Sequence, residues 1–188
     1  MSFKDIPGRI FLDTCSVNFI FDHGDVIFEG ERPFAAMSKR DMDDVMSFRG
    51  LFQTGSRASW QLAVSPLVYD EVQKIPKQDR RASVERWFLQ LWEYWMTIVD
   101  EQQLRIPTLG DRSQTRLSEP YPEILKVLPD RNDRVLIAHA LAYKCDCFCT
   151  RDYRTILKMK HQLTSLRIRI LSPTELWNTV KPYASLWY

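Results

Sequence analysis

The stretch Arg9-Ile10-Phe11-Leu12-Asp13-Thr14-Cys15-Ser16 carries three consecutive apolar residues into an aspartate and then into residues with hydroxyl and thiol groups. That is the pattern of a short buried strand ending at a polar turn. The chain repeats it. Gln61-Leu62-Ala63-Val64-Ser65 reads as a second strand, and Ser65 is followed by Pro66. A capping hydroxyl followed by proline at the first helical position is a helix start, because proline has no N–H to leave unpaired there. Cys147 to Thr150 and Arg167 to Leu171 read as two later strands, and Thr97 to Val99 as a short one between. Helical spacing fills the intervals: Asp41 to Gln53, the helix opened by Ser65-Pro66, about Arg80 to Trp95, Asp130 to Lys144, and about Tyr153 to Lys160. Ser172-Pro173-Thr174-Glu175 opens a last helix. Strands alternating with helices predict parallel βαβ units, hence a three-layer α/β/α fold around a mostly parallel sheet.

At 188 residues the chain fits one domain, 1–188, with longer loops at about 22–58 and 100–125. The second is polar and broken by Pro107, Gly110, Pro120 and Pro122. A 45% hydrophobic and 27% charged composition is that of a globular chain. No apolar run is long enough to span a membrane, and Met1 to Pro7 lacks the apolar stretch of a secretory signal. The expected location is the cytoplasm, with no membrane partner. A net charge of +2 selects no ligand by itself. Cys145, Cys147 and Cys149 alternate on one strand face and read as small buried hydrophobes; the C-x2-C spacing of a zinc site is missing.

In a parallel sheet each strand ends where the next helix begins, so ligands gather at the carboxyl edge of the sheet. Asp13 ends the first strand, and Asp152 lies two residues beyond the Cys147–Thr150 strand. Glu71 sits in the second turn of the helix begun by Ser65 and Pro66, with Asp70 as its rival about 100° away around the axis. Asp133 lies in the first turn of the helix leading into the Cys147 strand. Four acids distant in sequence thus fall on one rim. Packed carboxylates repel, and a hard cation such as Mg²⁺ or Mn²⁺, which prefers oxygen ligands, relieves the conflict. Such a site suits metal-assisted phosphoryl chemistry.

Several segments, in order, resemble the PIN-domain nucleases. They are Arg9-Ile-Phe-Leu-Asp13-Thr14, Ser65-Pro-Leu-Val-Tyr-Asp-Glu71-Val, Asp133-Arg-Val-Leu-Ile-Ala-His-Ala-Leu-Ala, Cys147-Phe-Cys-Thr150-Arg-Asp152 and Ile170-Leu-Ser-Pro-Thr-Glu-Leu. The resemblance implies an Mg²⁺- or Mn²⁺-dependent endoribonuclease with Asp13, Glu71, Asp133 and Asp152 as catalytic and metal-binding acids. It also implies RNA as substrate, and many of the family are toxins held by a protein antitoxin. Some relatives have lost activity, so a silent RNA- or protein-binding module is the alternative.

Each residue also has a plainer reading. Asp13 could open a turn, Asp130 and Asp152 could cap helices, and Thr14, Ser16 and Thr150 could be local turn hydroxyls rather than groups orienting the acids. Arg151, Arg154 and Lys158 could hold phosphates or form a solvated face. The aromatic-rich helix from Val84 to Met96 is apolar enough for burial on two sides, by the core alone or also by a homodimer or antitoxin interface. His23, His139 and His161 show no ligand spacing and read as surface or packing residues.

Overall fold

The computed structural model describes residues 6–58, 60–104, 106, 109 and 122–187. Four strands, β1 (Arg9–Leu12), β2 (Gln61–Ala63), β3 (Cys147–Cys149) and β4 (Arg169–Leu171), form one sheet in the order β2-β1-β3-β4. All three pairings are parallel. The architecture is α/β, as the alternating pattern predicts. β1 and β3 occupy the middle and are buried at every position, which is why they read as unbroken apolar runs. Phe11 and Phe148 are register partners and stack with centroids 5.3 Å apart. Tyr143 and Trp95 extend that aromatic layer, 5.6 Å from each other.

Between the strands run α1 (Thr14–Asp22), α2 (Lys39–Ala58), α3 (Pro66–Val72), α4 (Gln78–Glu101), α5 (Arg131–Ala142) and α6 (Ile156–Met159), and α7 (Pro173–Val180) follows β4. The starts expected from sequence form as capped termini. Ser65 Oγ accepts from Leu67 N, and Ser172 and Glu175 make a reciprocal capping box. The stretch 22–58 is not mainly loop: a π-helical turn, Asp25–Glu29, and the 20-residue α2 fill most of it. Helices α2 and α7 pack closely at Gly50, where a β-carbon would stand 2.6 Å from the Trp177 ring.

The strand expected at Thr97 to Val99 does not form; those residues continue α4 to Glu101. Phe88, Trp92, Trp95 and Val99 keep the spacing of one buried helical face through that stretch. Thr97 Oγ1 bonds the Glu93 carbonyl one turn back, so its β-branch is accommodated in a helix. The sheet therefore has four strands. Of the aromatic residues of α4, Phe88, Trp92 and Trp95 are buried, Trp87 is half-buried, and Tyr94 is exposed with its hydroxyl donating to the Trp60 carbonyl. Most of the region expected to be irregular, 100–125, lies outside the described residues. Among the described residues, no helix is long and apolar enough to cross a membrane.

Candidate functional site

Asp13 is the N-cap of α1, and its placement follows from β1 ending one residue earlier. It is 2% exposed. Its Oδ1 accepts from Ser16 N at 2.7 Å, and its Oδ2 accepts from the Thr150 hydroxyl. Thr150 also accepts from Asp152 N at 2.9 Å, so one hydroxyl at the end of β3 joins two of the four acids. Ser16 Oγ donates to the Cys149 carbonyl at 3.1 Å and ties the start of α1 to the same strand end. Thr14 Oγ1 is buried without a hydrogen-bond partner. Thr150 and Ser16 thus touch the acids or their supports; no such contact is seen for the Thr14 hydroxyl.

Glu71, rather than Asp70, accepts a hydrogen bond from Asn132 Nδ2 across the gap between α3 and α5, at 3.2 Å. Asp133 is in the first turn of α5, behind the N-cap Asp130, whose Oδ1 holds Asn132 N. The capping role is therefore Asp130's. Asp152 Oδ1 accepts from Arg154 N and Thr155 N at 3.0 and 2.9 Å, so it organises the turn before α6 as well as facing Thr150.

The charges of the acids bear on one another at Asp13 and Asp133. Burial raises the Asp13 carboxyl to about 6 against the lowering of its hydrogen bonds, with Asp152 adding to the rise. Asp133 rises to about 7, first through burial, then through the charges of Asp130, Asp152, Asp13 and Glu71. The Cys15 thiol is pushed up to about 12 by desolvation and then by the same four acids. None of the four acids makes an ion pair among the described residues. At the same time, no three His, Cys, Asp or Glu side chains among those residues converge closely enough to enclose an ion as they stand. The four acids are of the hard-oxygen type, but as they stand Glu71 is engaged by Asn132 and Asp152 by the amides that follow it.

Arg151 does not form the solvated face that is its plainer reading. It turns inward: Nε meets Asp44 Oδ2 at 2.8 Å, a second nitrogen pairs with Asp41, and the guanidinium lies 3.4 Å from the Phe19 ring centroid. Asp44 is fully buried and also accepts from Tyr153 Oη at 2.8 Å and Thr174 Oγ1 at 3.1 Å. This network clamps the residues flanking Asp152 to α2 and α7. Its sequence signal is an acid at Asp44 within the apolar face of Val45 and Phe48, where burial demands a partner. Asn132 is the other missed residue, and only its adjacency to Asp133 hinted at it. Arg154 and Lys158 are exposed.

The contacts of the three histidines are made with groups other than the four acids. His139 is buried with Nδ1 2.6 Å from Ser65 Oγ and its ring on Tyr143. His23 packs edge-on against Phe19, and His161 bonds the Lys158 carbonyl. The other cysteines are buried thiols, with Cys147 pushed up to about 12 by its burial. No protein-family model, curated protein sequence or solved structure matches this chain.

Proposed function

We propose that this chain is a metal-dependent endoribonuclease of PIN-like design, hydrolysing RNA phosphodiesters at the rim formed by Asp13, Glu71, Asp133 and Asp152. The observation that carries the reading is that the charges of Asp152, Asp13 and Glu71 all bear on the half-buried Asp133, while none of the four acids makes an ion pair among the described residues and the nearby Arg151 pairs elsewhere. A protein keeps such a cluster at a cost in stability, and a divalent cation removes that cost. Asp13, Glu71, Asp133 and Asp152 would hold Mg²⁺ or Mn²⁺. The bound ion would draw a phosphate to the rim and lower the pKa of an attacking water.

The chain's own groups supply orientation. Ser16 N and Thr150 fix both oxygens of Asp13, and Thr150 sets Asp152 relative to it. Glu71 is free to join once Asn132 releases it. With no histidine bonded to any of the four acids, activation of a 2′-hydroxyl by a neutral general base lacks its usual residue there. Water is then the nucleophile: the phosphorus–3′-oxygen bond breaks, and the products carry a 5′-phosphate and a free 3′-hydroxyl. End-labelled RNA incubated with Mn²⁺ or Mg²⁺ should be cut by the wild type and left intact by Asp13→Asn or in EDTA.

The separation of the acid side chains favours a second reading, a silent RNA- or protein-binding module. RNA retention without turnover in either metal would select it. A toxin held by an antitoxin, or a homodimer, would be compatible with both.

A further inference from the structure

With Arg151 withdrawn into its pairs with Asp41 and Asp44, the positive surface beside the acids has a different composition from the one the sequence order suggests. Two adjoining depressions lie there. The first, of about 600 Å³, reaches the rim at Asp152 and Cys15 and is walled by Arg40, Tyr153 and Arg154, with the paired Arg151 and Asp41 also lining it. The second, of about 770 Å³, continues from Arg40 and Tyr153 to Lys39 and Lys158, with Asp43 in its wall. Their shared wall is fixed in place. Both Asp44 oxygens hold the Tyr153 hydroxyl, at 2.8 and 3.0 Å, and the Arg40 guanidinium lies 4.5 Å from the centre of the Tyr153 ring.

The charges along this surface are unequal. Lys160 is paired with Glu175 and Arg151 with Asp41 and Asp44. Lys39, Arg40, Arg154 and Lys158 are exposed and make no ion pair among the described residues; of the acids lining the two depressions, Asp41 and Glu175 are paired with Arg151 and Lys160, leaving Asp43 and the rim's Asp152. An excess of cations drawn from two elements, α2 and the segment after β3, and leading to an acid rim suits a linear polyanion rather than a compact ligand. We propose that this surface is the track of the substrate strand, with Lys39, Arg40, Arg154 and Lys158 holding successive phosphates of single-stranded RNA leading away from the bond at the acid rim. The assignment rests on the reading of that rim as a phosphodiester-cleaving site. It adds Lys39 and Arg40, more than 100 positions before Arg154, and removes Arg151.

The test is binding without turnover. In EDTA and in an Asp13→Asn background, the affinity for a 12-nucleotide mixed-sequence single-stranded RNA is followed by fluorescence anisotropy from 50 to 200 mM salt. Four phosphate contacts on a single strand contribute a log–log slope of about −2.8, or about a 50-fold loss over that range. Adding Lys39→Ala, Arg40→Ala, Arg154→Ala and Lys158→Ala together should flatten the slope by about that amount. Arg167→Ala, an exposed cation in the cavity along β4, should not change it. If the fourfold variant fails to fold, Arg154→Ala with Lys158→Ala should flatten the slope by about 1.4. An unchanged slope, an equal effect from Arg167→Ala, or no RNA binding by the parent would overturn the track. If the variant loses RNA and the wild type never cleaves, the track stands and the cleavage reading falls. If the wild type cleaves, and the same four substitutions made with Asp13 retained change neither binding nor cleavage, the reverse holds.

Discussion

Replacing Asp13 with asparagine should stabilise the metal-free protein, and only above the pH at which the carboxyl ionises. Asp13 is 2% exposed and its carboxyl is raised from 3.8 to about 6, so keeping it charged is unfavourable. The rise of about two units corresponds to about 3 kcal/mol at 1.36 kcal/mol per unit. The sign follows from proton uptake: between pH 3.8 and about 6 the folded state holds a proton that the unfolded state has lost. Stability therefore falls as pH rises through that window, then stays about 3 kcal/mol lower above it. Asparagine mimics the neutral acid and remains a good N-cap. It offers an N–H₂ where Oδ2 now accepts from Thr150, which costs about 1 kcal/mol. The net gain at pH 8 is about 2 kcal/mol, or roughly 4–8 °C in melting temperature for a domain of this size. At pH 4 the folded wild type is protonated, so only the cost at Thr150 remains and the variant should be slightly less stable, by up to about 1 kcal/mol. Urea melts of both proteins in EDTA at pH 4, 6 and 8 give the difference directly. A variant less stable than the wild type by the same amount at every pH would refute the claim that Asp13 is held at a cost for a cation.

Mn²⁺ at ten times its dissociation constant should stabilise the wild type by about 1.4 kcal/mol through mass action. Asp13→Asn should abolish that rise in a thermal melt, and a wild type indifferent to millimolar metal would count against the donor set. Asp44→Ala should destabilise by about 3–5 kcal/mol, because it leaves Arg151 and Tyr153 without their buried partner; a loss under 1 kcal/mol in urea would show that the clamp is dispensable. Burial lowers His139 from 6.5 to about 4, so the unfolded state takes up a proton first as pH falls. The wild type should therefore lose about 3 kcal/mol relative to His139→Gln between pH 7 and 4, and a pH-independent difference would contradict this. His23→Asn with His161→Asn should leave cleavage within about tenfold, whereas removing a true general base costs 10²–10⁴.

Much of this fold could be read from the sequence because its central strands are buried on both faces and its helix starts carry local chemistry. Ser65-Pro66 and Ser172-Pro173 declare their caps within two residues. The misread segment, Thr97 to Val99, shows where local reading stops: β-branched residues are as compatible with a buried helical face as with a strand, and Trp92 and Trp95 decide between them. The positions of Asp13 and Asp133 at helix starts could be read from sequence, because a strand ending on an aspartate and an apolar-periodic run opening with acids mark those boundaries. The acids' hydrogen-bond partners could not, since Asn132 to Glu71 and Thr150 to Asp13 span 61 and 137 positions. The fate of Arg151 was hidden for the same reason: the partner that turns it inward, Asp44, lies 107 residues earlier.

The central claim is that four carboxylates at this rim cut RNA with a divalent cation and water. Mass spectrometric analysis of the ends formed from a defined single-stranded RNA tests it most directly. With Mn²⁺ or Mg²⁺ the wild type should yield 5′-phosphate and 3′-hydroxyl ends, and nothing should form in EDTA or with Asp13→Asn. Ends bearing 2′,3′-cyclic phosphate, or undiminished cleavage in EDTA, would contradict the account.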